Sequence, residues 1–204
     1  MSSISKPARE RLIQLSRLLE QLEKEAISNV TSSEIERRTK WSNFTIRRDI
    51  SLLGIPCASS LGYSTRGLKE AIHKVLGINA TITNCCIVGL GRLGSALMGF
   101  EGFAQSSFRI VAGFDSNVNR TEILQADFPL YPTSKMEGII KRENIQVAIL
   151  AVPEKAAQEI ATRLCNYGIT GIVNYTSAIL SVDSSTKIIN ISVIDALQNL
   201  VAQH

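Results

Sequence analysis

An apolar stretch that runs into a glycine turn and then into a helical pattern leaves a chain few folds to choose from. Here Cys85-Cys86-Ile87-Val88 leads into Gly89-Leu90-Gly91-Arg92-Leu93-Gly94, and Ser95-Ala96-Leu97-Met98 follows. The order is strand, turn, helix, with the glycines in G-x-G-x-x-G spacing. A second apolar run, Phe108 to Phe114, ends at Asp115, 21 residues after Gly94. The glycine spacing alone is a weak signal. Framed by two strands and closed by an acid at that distance, it points to dinucleotide binding. Gly89 permits the tight turn, Gly91 lets backbone amides approach a pyrophosphate, and Gly94 lets the helix pack on the sheet. The helix N-terminus adds partial positive charge under the phosphates. Asp115 is suited to accept hydrogen bonds from the adenine-ribose hydroxyls, and its charge opposes a 2′-phosphate, which favours NAD over NADP. The competing reading is a Rossmann-like domain that has lost its ligand or takes another nucleotide.

From residue 84 onward apolar strands alternate with helical patterns. Strands are expected near 85–89, 108–114, 128–131, 145–152, 170–175 and 187–191, and helices near 92–104, 118–126, 134–143 and 154–167. Alternation of this kind predicts a doubly wound parallel sheet. Ala151-Val152-Pro153 and Asn174-Tyr175-Thr176-Ser177 end the fourth and fifth strands, beside the expected switch-point crevice. Val152, Pro153 and Asn174 are therefore candidates for the nicotinamide half of the ligand, with Gly89, Leu90, Gly91, Arg92, Leu93, Gly94 and Asp115 for the rest. No acid–base pair accompanies them. His73 lies in the N-terminal part, His204 is the last residue, and neither Tyr175 nor Lys155 has an evident orienting partner. That pattern favours sensing over turnover, with an NAD-dependent oxidoreductase carrying a helical appendage as the alternative.

The first eighty residues hold a different architecture. Leu12, Leu15, Leu19, Leu22 and Ala26 recur at helical spacing and predict an amphipathic helix over 8–25. Thr31-Ser32-Ser33-Glu34 offers a capping box for a short helix over 33–39. After Lys40-Trp41-Ser42, either Ser42 or Asn43 can cap a third helix, Phe44 to Leu53, which Gly54 and Pro56 stop. Helix, short helix, short turn, helix is a helix-turn-helix pattern. Ile46, Ile50 and Leu53 face its core; Arg48 lies nearly opposite, with Arg47 and Thr45 on the flanks. Such a helix can enter a major groove, its arginines on phosphates or guanine edges and Asn43 or Thr45 on bases. Residues 55–64 are expected to form a two-stranded wing, before a helix over 66–76. A protein-interaction domain of the same shape is the alternative.

Charge separates the two parts. Residues 1–78 carry 13 Lys and Arg against 8 Asp and Glu, and the remainder carries 9 against 10. A basic first part on a near-neutral second one suggests a polyanion that meets only the first. No apolar run approaches a membrane span and no signal core is visible, so a cytoplasmic protein is expected. Cys57, Cys85, Cys86 and Cys165 show no C-x-x-C spacing, and with two histidines a metal site is not expected. Buried, reduced thiols are expected instead, Cys57 being the one candidate for a thiol switch because it falls in a loop. Val193, Ile194, Leu197, Leu200 and Val201 form an apolar stripe on a short C-terminal helix, which packs either on its own sheet or on a second subunit.

Across nearly its whole length the chain resembles the Rex redox-sensing transcriptional repressors of bacteria. The resemblance is carried by Thr31 to Glu34, Ile46-Arg47-Arg48-Asp49-Ile50, Leu61-Gly62-Tyr63, Val88 to Leu97, Gly102-Phe103-Ala104, Phe108 to Asp115, Ala148 to Gln158, Gly168 to Asn174 and Leu197-Gln198. It implies a homodimer with a winged helix-turn-helix domain over 1–80, a Rossmann NAD(H)-binding domain over 81–191, and a C-terminal helix over 192–204 exchanged between subunits. It further implies release from operator DNA at a high NADH/NAD⁺ ratio, with Ser32, Ser33, Lys40, Asn43, Thr45, Arg47, Arg48 and Tyr63 on the DNA-binding surface. Three departures stand out. The wing run Cys57-Ala58-Ser59-Ser60-Leu61 is uncharged, Phe100 replaces a common tyrosine, and Ser192 replaces a common aspartate. In the family this tyrosine and aspartate link cofactor state to domain arrangement, and Arg17 is placed to pair with the aspartate. A charge-assisted hydrogen bond is worth about 1.5–3 kcal/mol, so its loss would erase about one to two decades of redox discrimination.

Overall fold

A computed structural model of the chain describes residues 4–55, 62–78, 81–104 and 106–202. The chain divides into two compact units, Met1–Ala80 and Thr81–His204.

In the first unit α1 (Lys6–Lys24) runs past α2 (Ser32–Thr39), α3 (Asn43–Ser51) and α4 (Thr65–Leu76). Leu12, Leu19 and Leu22 have no exposed surface, and they close on Ile35, Ile46, Leu68 and Ile72. Each such side chain contributes about 1.5–3 kcal/mol by leaving water. Thr31 caps α2 by accepting from the Glu34 amide at 3.1 Å. The reciprocal half of the capping box is missing, because the Glu34 carboxylate is taken by Arg37 and Arg38. Those two guanidinium groups pull the Glu34 carboxyl down to about 2. Ser42, rather than Asn43, caps α3.

The expected wing is only partly accessible to description. Its last residues form β2 (Tyr63–Ser64), which pairs antiparallel with β1 (Asn29–Val30) ahead of α2. The uncharged run 57–61, with Cys57, lies outside the described residues. Tyr63 is drawn into the core at 7% exposure, so a ring presented to DNA is not what this residue offers. Register explains it: Tyr63 faces Val30, itself buried.

The second unit is a six-stranded parallel sheet. Its strands are β3 (Thr83–Val88), β4 (Phe108–Asp115), β5 (Leu130–Pro132), β6 (Val147–Leu150), β7 (Gly171–Asn174) and β8 (Lys187–Asn190). They lie in the order β5-β4-β3-β6-β7-β8, the doubly wound Rossmann order, which reverses between β3 and β6. Helices α5 (Arg92–Met98), α6 (Val118–Ile123), α7 (Met136–Arg142) and α8 (Glu154–Asn166) connect the strands. The helix expected over 92–104 ends early: Gly99 caps α5, and a single 3₁₀ turn over Glu101–Phe103 follows.

Adjacent strand residues point to opposite faces. Cys86 accordingly packs with Ala157, Ile160 and Leu164, and Cys85 with Ile87, Leu90 and Ile110. Both thiols are free. Burial pushes Cys85 up to about 11 and Cys86 higher still.

The C-terminal helix α9 (Val193–Val201) does not pack on its own sheet. Val193, Ile194, Leu197, Leu200 and Val201 are all more than half exposed. Among the described residues no helix is long and apolar enough to cross a membrane, and no cluster of side chains could hold a metal ion.

Candidate functional site

The glycine turn sits where the strand order reverses. The Gly89 amide donates to Phe114 O and the Ala151 amide to Val88 O, both at 2.8 Å, so the turn is pinned by strands on either side. A Cβ on Gly89 would stand 2.5 Å from the Ala151 carbonyl oxygen, and φ there is +93°. A Cβ on Gly94 would stand 1.8 Å from the Gly89 carbonyl oxygen. These two glycines are required by the protein's own packing. Gly91 is not, since nothing lies within 4 Å of a Cβ built there. It keeps clear the space where a pyrophosphate would rest on backbone amides, so the turn fits such a group. Arg92 and Leu93 are exposed on the first turn of α5, whereas the Leu90 side chain is buried. Leu90 therefore contributes its backbone.

That backbone reaches Asp115. The Leu90 amide donates to Asp115 Oδ2 at 2.7 Å, the Asn117 amide to Oδ1 at 2.8 Å, and Arg120 Nη1 to Oδ2 at 3.0 Å. Burial pushes the Asp115 carboxyl up, but the two amides and the guanidinium outweigh it and hold the group below its ordinary range. An ionised carboxylate with an acceptor position to spare suits ribose hydroxyls. Arg120 is a residue that the strand–turn–acid reading did not find; its position five residues after the acid was the available signal.

Val152 and Pro153 follow β6, and the Val152 side chain comes up against the turn at Gly89. Asn174 is a correction. Its Nδ2 donates to Ala178 O and Asn190 Oδ1, and its Oδ1 accepts from the Thr176 amide and hydroxyl. All four of its hydrogen-bonding positions are occupied within the protein. Asn174 shapes the loop after β7 and has nothing left for a ligand.

In the first unit the structure brings together several residues expected at a nucleic-acid surface. Arg47 Nε approaches Ser32 Oγ at 3.4 Å, and Asn43 Nδ2 donates to Ser33 Oγ at 3.3 Å. Ser32 is itself buried, which leaves it as a support for Arg47. Thr45 is tied to the Ser42 cap. Lys40 ends α2 in the left-handed conformation and is exposed. Five cations of this unit are spent on carboxylates: Arg11 on Asp49, Arg37 and Arg38 on Glu34, Arg66 on Glu70, Lys69 on Glu23. Among the described residues Lys40, Arg47 and Arg48 make no ion pair, and Arg47 and Arg48 are exposed on α3.

The three coupling positions fall apart in character. Arg17 is exposed and makes no ion pair among the described residues. Phe100 is 60% exposed and meets Phe103 edge-on, its ring lying over Gly102. It lines a hollow of about 690 Å³ with Ile82, Phe103, Phe108 and Phe128, at the N-terminal ends of β3 and β4, whereas the glycine turn follows the C-terminal end of β3. Ser192 caps α9 by accepting from the Asp195 amide at 3.1 Å. A serine in place of an aspartate thus keeps a helix-capping function while giving up the charge.

Comparison with known proteins agrees with this geometry. A family model described as "CoA binding domain" matches residues 80–178, and one described as "Putative DNA-binding protein N-terminus" matches 3–51. The chain is 34% identical to the redox-sensing transcriptional repressor Rex of Carboxydothermus hydrogenoformans over 172 residues, 84% of this chain and 82% of that one. It is 36% identical to the Rex repressor of Exiguobacterium sibiricum, over 84% of this chain and 78% of that one. Among solved structures, RSP, a Rex-family repressor, in complex with NAD⁺ and operator DNA matches with a TM-score of 0.91 at 27% identity, over 100% of this chain and 93% of that one. RSP in complex with NADH matches with a TM-score of 0.87. The chain belongs to the Rex family of redox-sensing transcriptional repressors.

Proposed function

We propose that this chain is a homodimeric, NAD(H)-binding transcriptional repressor of the cytoplasm, which holds operator DNA through α3 and lets go when NADH is bound. The observation that carries the reading is Gly91: a glycine that no protein neighbour requires, between two that packing does require. The amides of the 89–94 turn, with Arg92, would hold the pyrophosphate, Asp115 the ribose, and Val152 and Pro153 the wall beside the nicotinamide. The bound group supplies one distinction only, a nicotinamide ring that is cationic when oxidised and neutral when reduced. Arg47, Arg48 and Lys40 would meet phosphates or guanine edges, with Asn43 and Thr45 shaping the helix start between them.

Release is a population shift. NADH must bind the DNA-incompetent arrangement more tightly than the competent one, and a hundredfold preference corresponds to about 2.7 kcal/mol. The exposed stripe of α9 supplies the surface for a second subunit. Phe100 and Ser192 weaken the coupling, because a phenyl ring donates no hydrogen bond and Arg17 has no carboxylate at position 192 to meet. The redox response is therefore smaller than in relatives with both groups, or takes another route.

Operator affinity of the full chain, measured with NAD⁺, NADH, CoA and no addition at two salt concentrations, tests this. Tight binding that weakens with salt and is relieved by NADH supports it. Equal binding in all states removes redox sensing, relief by CoA alone reassigns the ligand, and steady hydride turnover of a small substrate would make the chain an oxidoreductase. Binding of NADH with no operator recognised would leave a cofactor-binding interaction protein.

A further inference from the structure

The second residue of α3 is a phenylalanine. Phe44 is 75% exposed, while Ile46, Asp49 and Ile50 are buried on the same helix. At 100° per residue the buried three define the core direction, and Phe44, Arg48 and Ser51 point almost directly away from it. A single exposed apolar side chain is ordinary on a protein surface and by itself means nothing. This one lies on the outward line of the helix, one turn before Arg48 and beside Arg47, and neither arginine makes an ion pair among the described residues.

We infer that Phe44 is a specificity-determining residue that reads the 5-methyl group of a thymine in each operator half-site. The inference rests on the DNA-binding reading above. Residues at the start of a recognition helix are the ones that meet base edges. A phenyl ring has no donor or acceptor, so it cannot read the polar pattern of the major groove. The one apolar group displayed there is the thymine methyl. The flanking guanidinium groups meet phosphates or guanine, and Phe44 fills the space between them with hydrocarbon.

The test uses the full-length chain and a duplex that it selects from a random-sequence pool. Each thymidine of the duplex is replaced singly by deoxyuridine, which removes only the methyl. One position per half-site is expected to weaken wild-type binding about fourfold, the cost of exposing one buried methyl. Phe44→Ala should be indifferent to that replacement, and Phe44→Leu, still apolar, should keep a reduced sensitivity. Thermal unfolding confirms that both variants are folded, and the wild-type scan stands without them. A duplex with no methyl-sensitive thymine overturns the inference, as does sensitivity that persists unchanged in Phe44→Ala. A pool from which no sequence is enriched overturns the DNA-binding reading and this inference with it.

Discussion

Arg11 and Asp49 are joined by two side-chain hydrogen bonds, of 2.6 and 2.9 Å, which tie the first helix to the third. The carboxylate is almost wholly buried and the guanidinium about a quarter exposed. Arg11→Ala strands the buried carboxylate and should cost about 1.5–3 kcal/mol in chemical denaturation, whereas Asp49→Ala leaves a guanidinium that water reaches and should cost less. The double replacement Arg11→Met with Asp49→Leu should be less damaging than the two single losses added together. Since the pair holds α3 from behind, operator affinity should fall in both single variants.

Gly91 and Gly94 separate binding from folding. Gly94→Ala forces a methyl group onto the Gly89 carbonyl and should destabilise the second unit severely. Gly91→Ala meets only open space. It should melt close to the wild type yet bind NADH at least about tenfold more weakly, a loss of about 1.4 kcal/mol. Thermal unfolding beside titration of NADH fluorescence distinguishes the two.

Asp115 gives the second unit a pH dependence. Its carboxyl is held below the ordinary range when folded, so ionisation favours the folded state. That contribution is complete above the ordinary carboxylate value of about 4 and is lost as pH falls through the depressed one. Asp115→Asn should melt lower than the wild type at neutral pH, and the gap should narrow as the buffer is taken below about pH 4.

The apolar stripe of α9 takes no part in the chain's own core. Leu197→Glu with Leu200→Glu should therefore leave the chain folded while breaking the proposed dimer, seen as halving of the mass in sedimentation equilibrium. A dimer that survives both charges would place the subunit contact elsewhere.

Cys85 and Cys86 should resist thiol reagents in the native protein and react only on unfolding, because burial suppresses the thiolate in both. Mass spectrometry of the alkylated chain reads this residue by residue.

Periodicity made much of this legible. Apolar runs located each strand of the six-stranded sheet to within a few positions, and the acid after the second run falls beside the glycine turn. Boundaries failed where glycine intervened, as at Gly99, which cuts short a pattern that continues in apolar content to Ala104. Tyr63 and Asn174 were misread for different reasons. Tyr63 pairs in register with Val30 on β1, far from it in sequence, and joins the core there. Asn174 is taken up mostly by Thr176 and Ala178 in the loop just after it, and by Asn190, which hydrophobic periodicity does not report. Arg11 and Asp49 are 38 positions apart and invisible to any short window. Phe44 escaped for a different reason: the helix face was read from its charges, and an outward phenylalanine carries none.

The hydrogen bond from the Leu90 amide to Asp115 has a consequence for what the protein measures. It ties the glycine turn to the Asp115 carboxylate, so on the proposed function the adenosine diphosphate half of the ligand would be gripped by one connected piece. That half is chemically identical in NAD⁺ and NADH. Most of the binding energy would then be common to both, and the two forms would compete for one seat. Such a protein would behave as a ratiometer, answering to how the cofactor is divided between its two forms more than to how much of it there is.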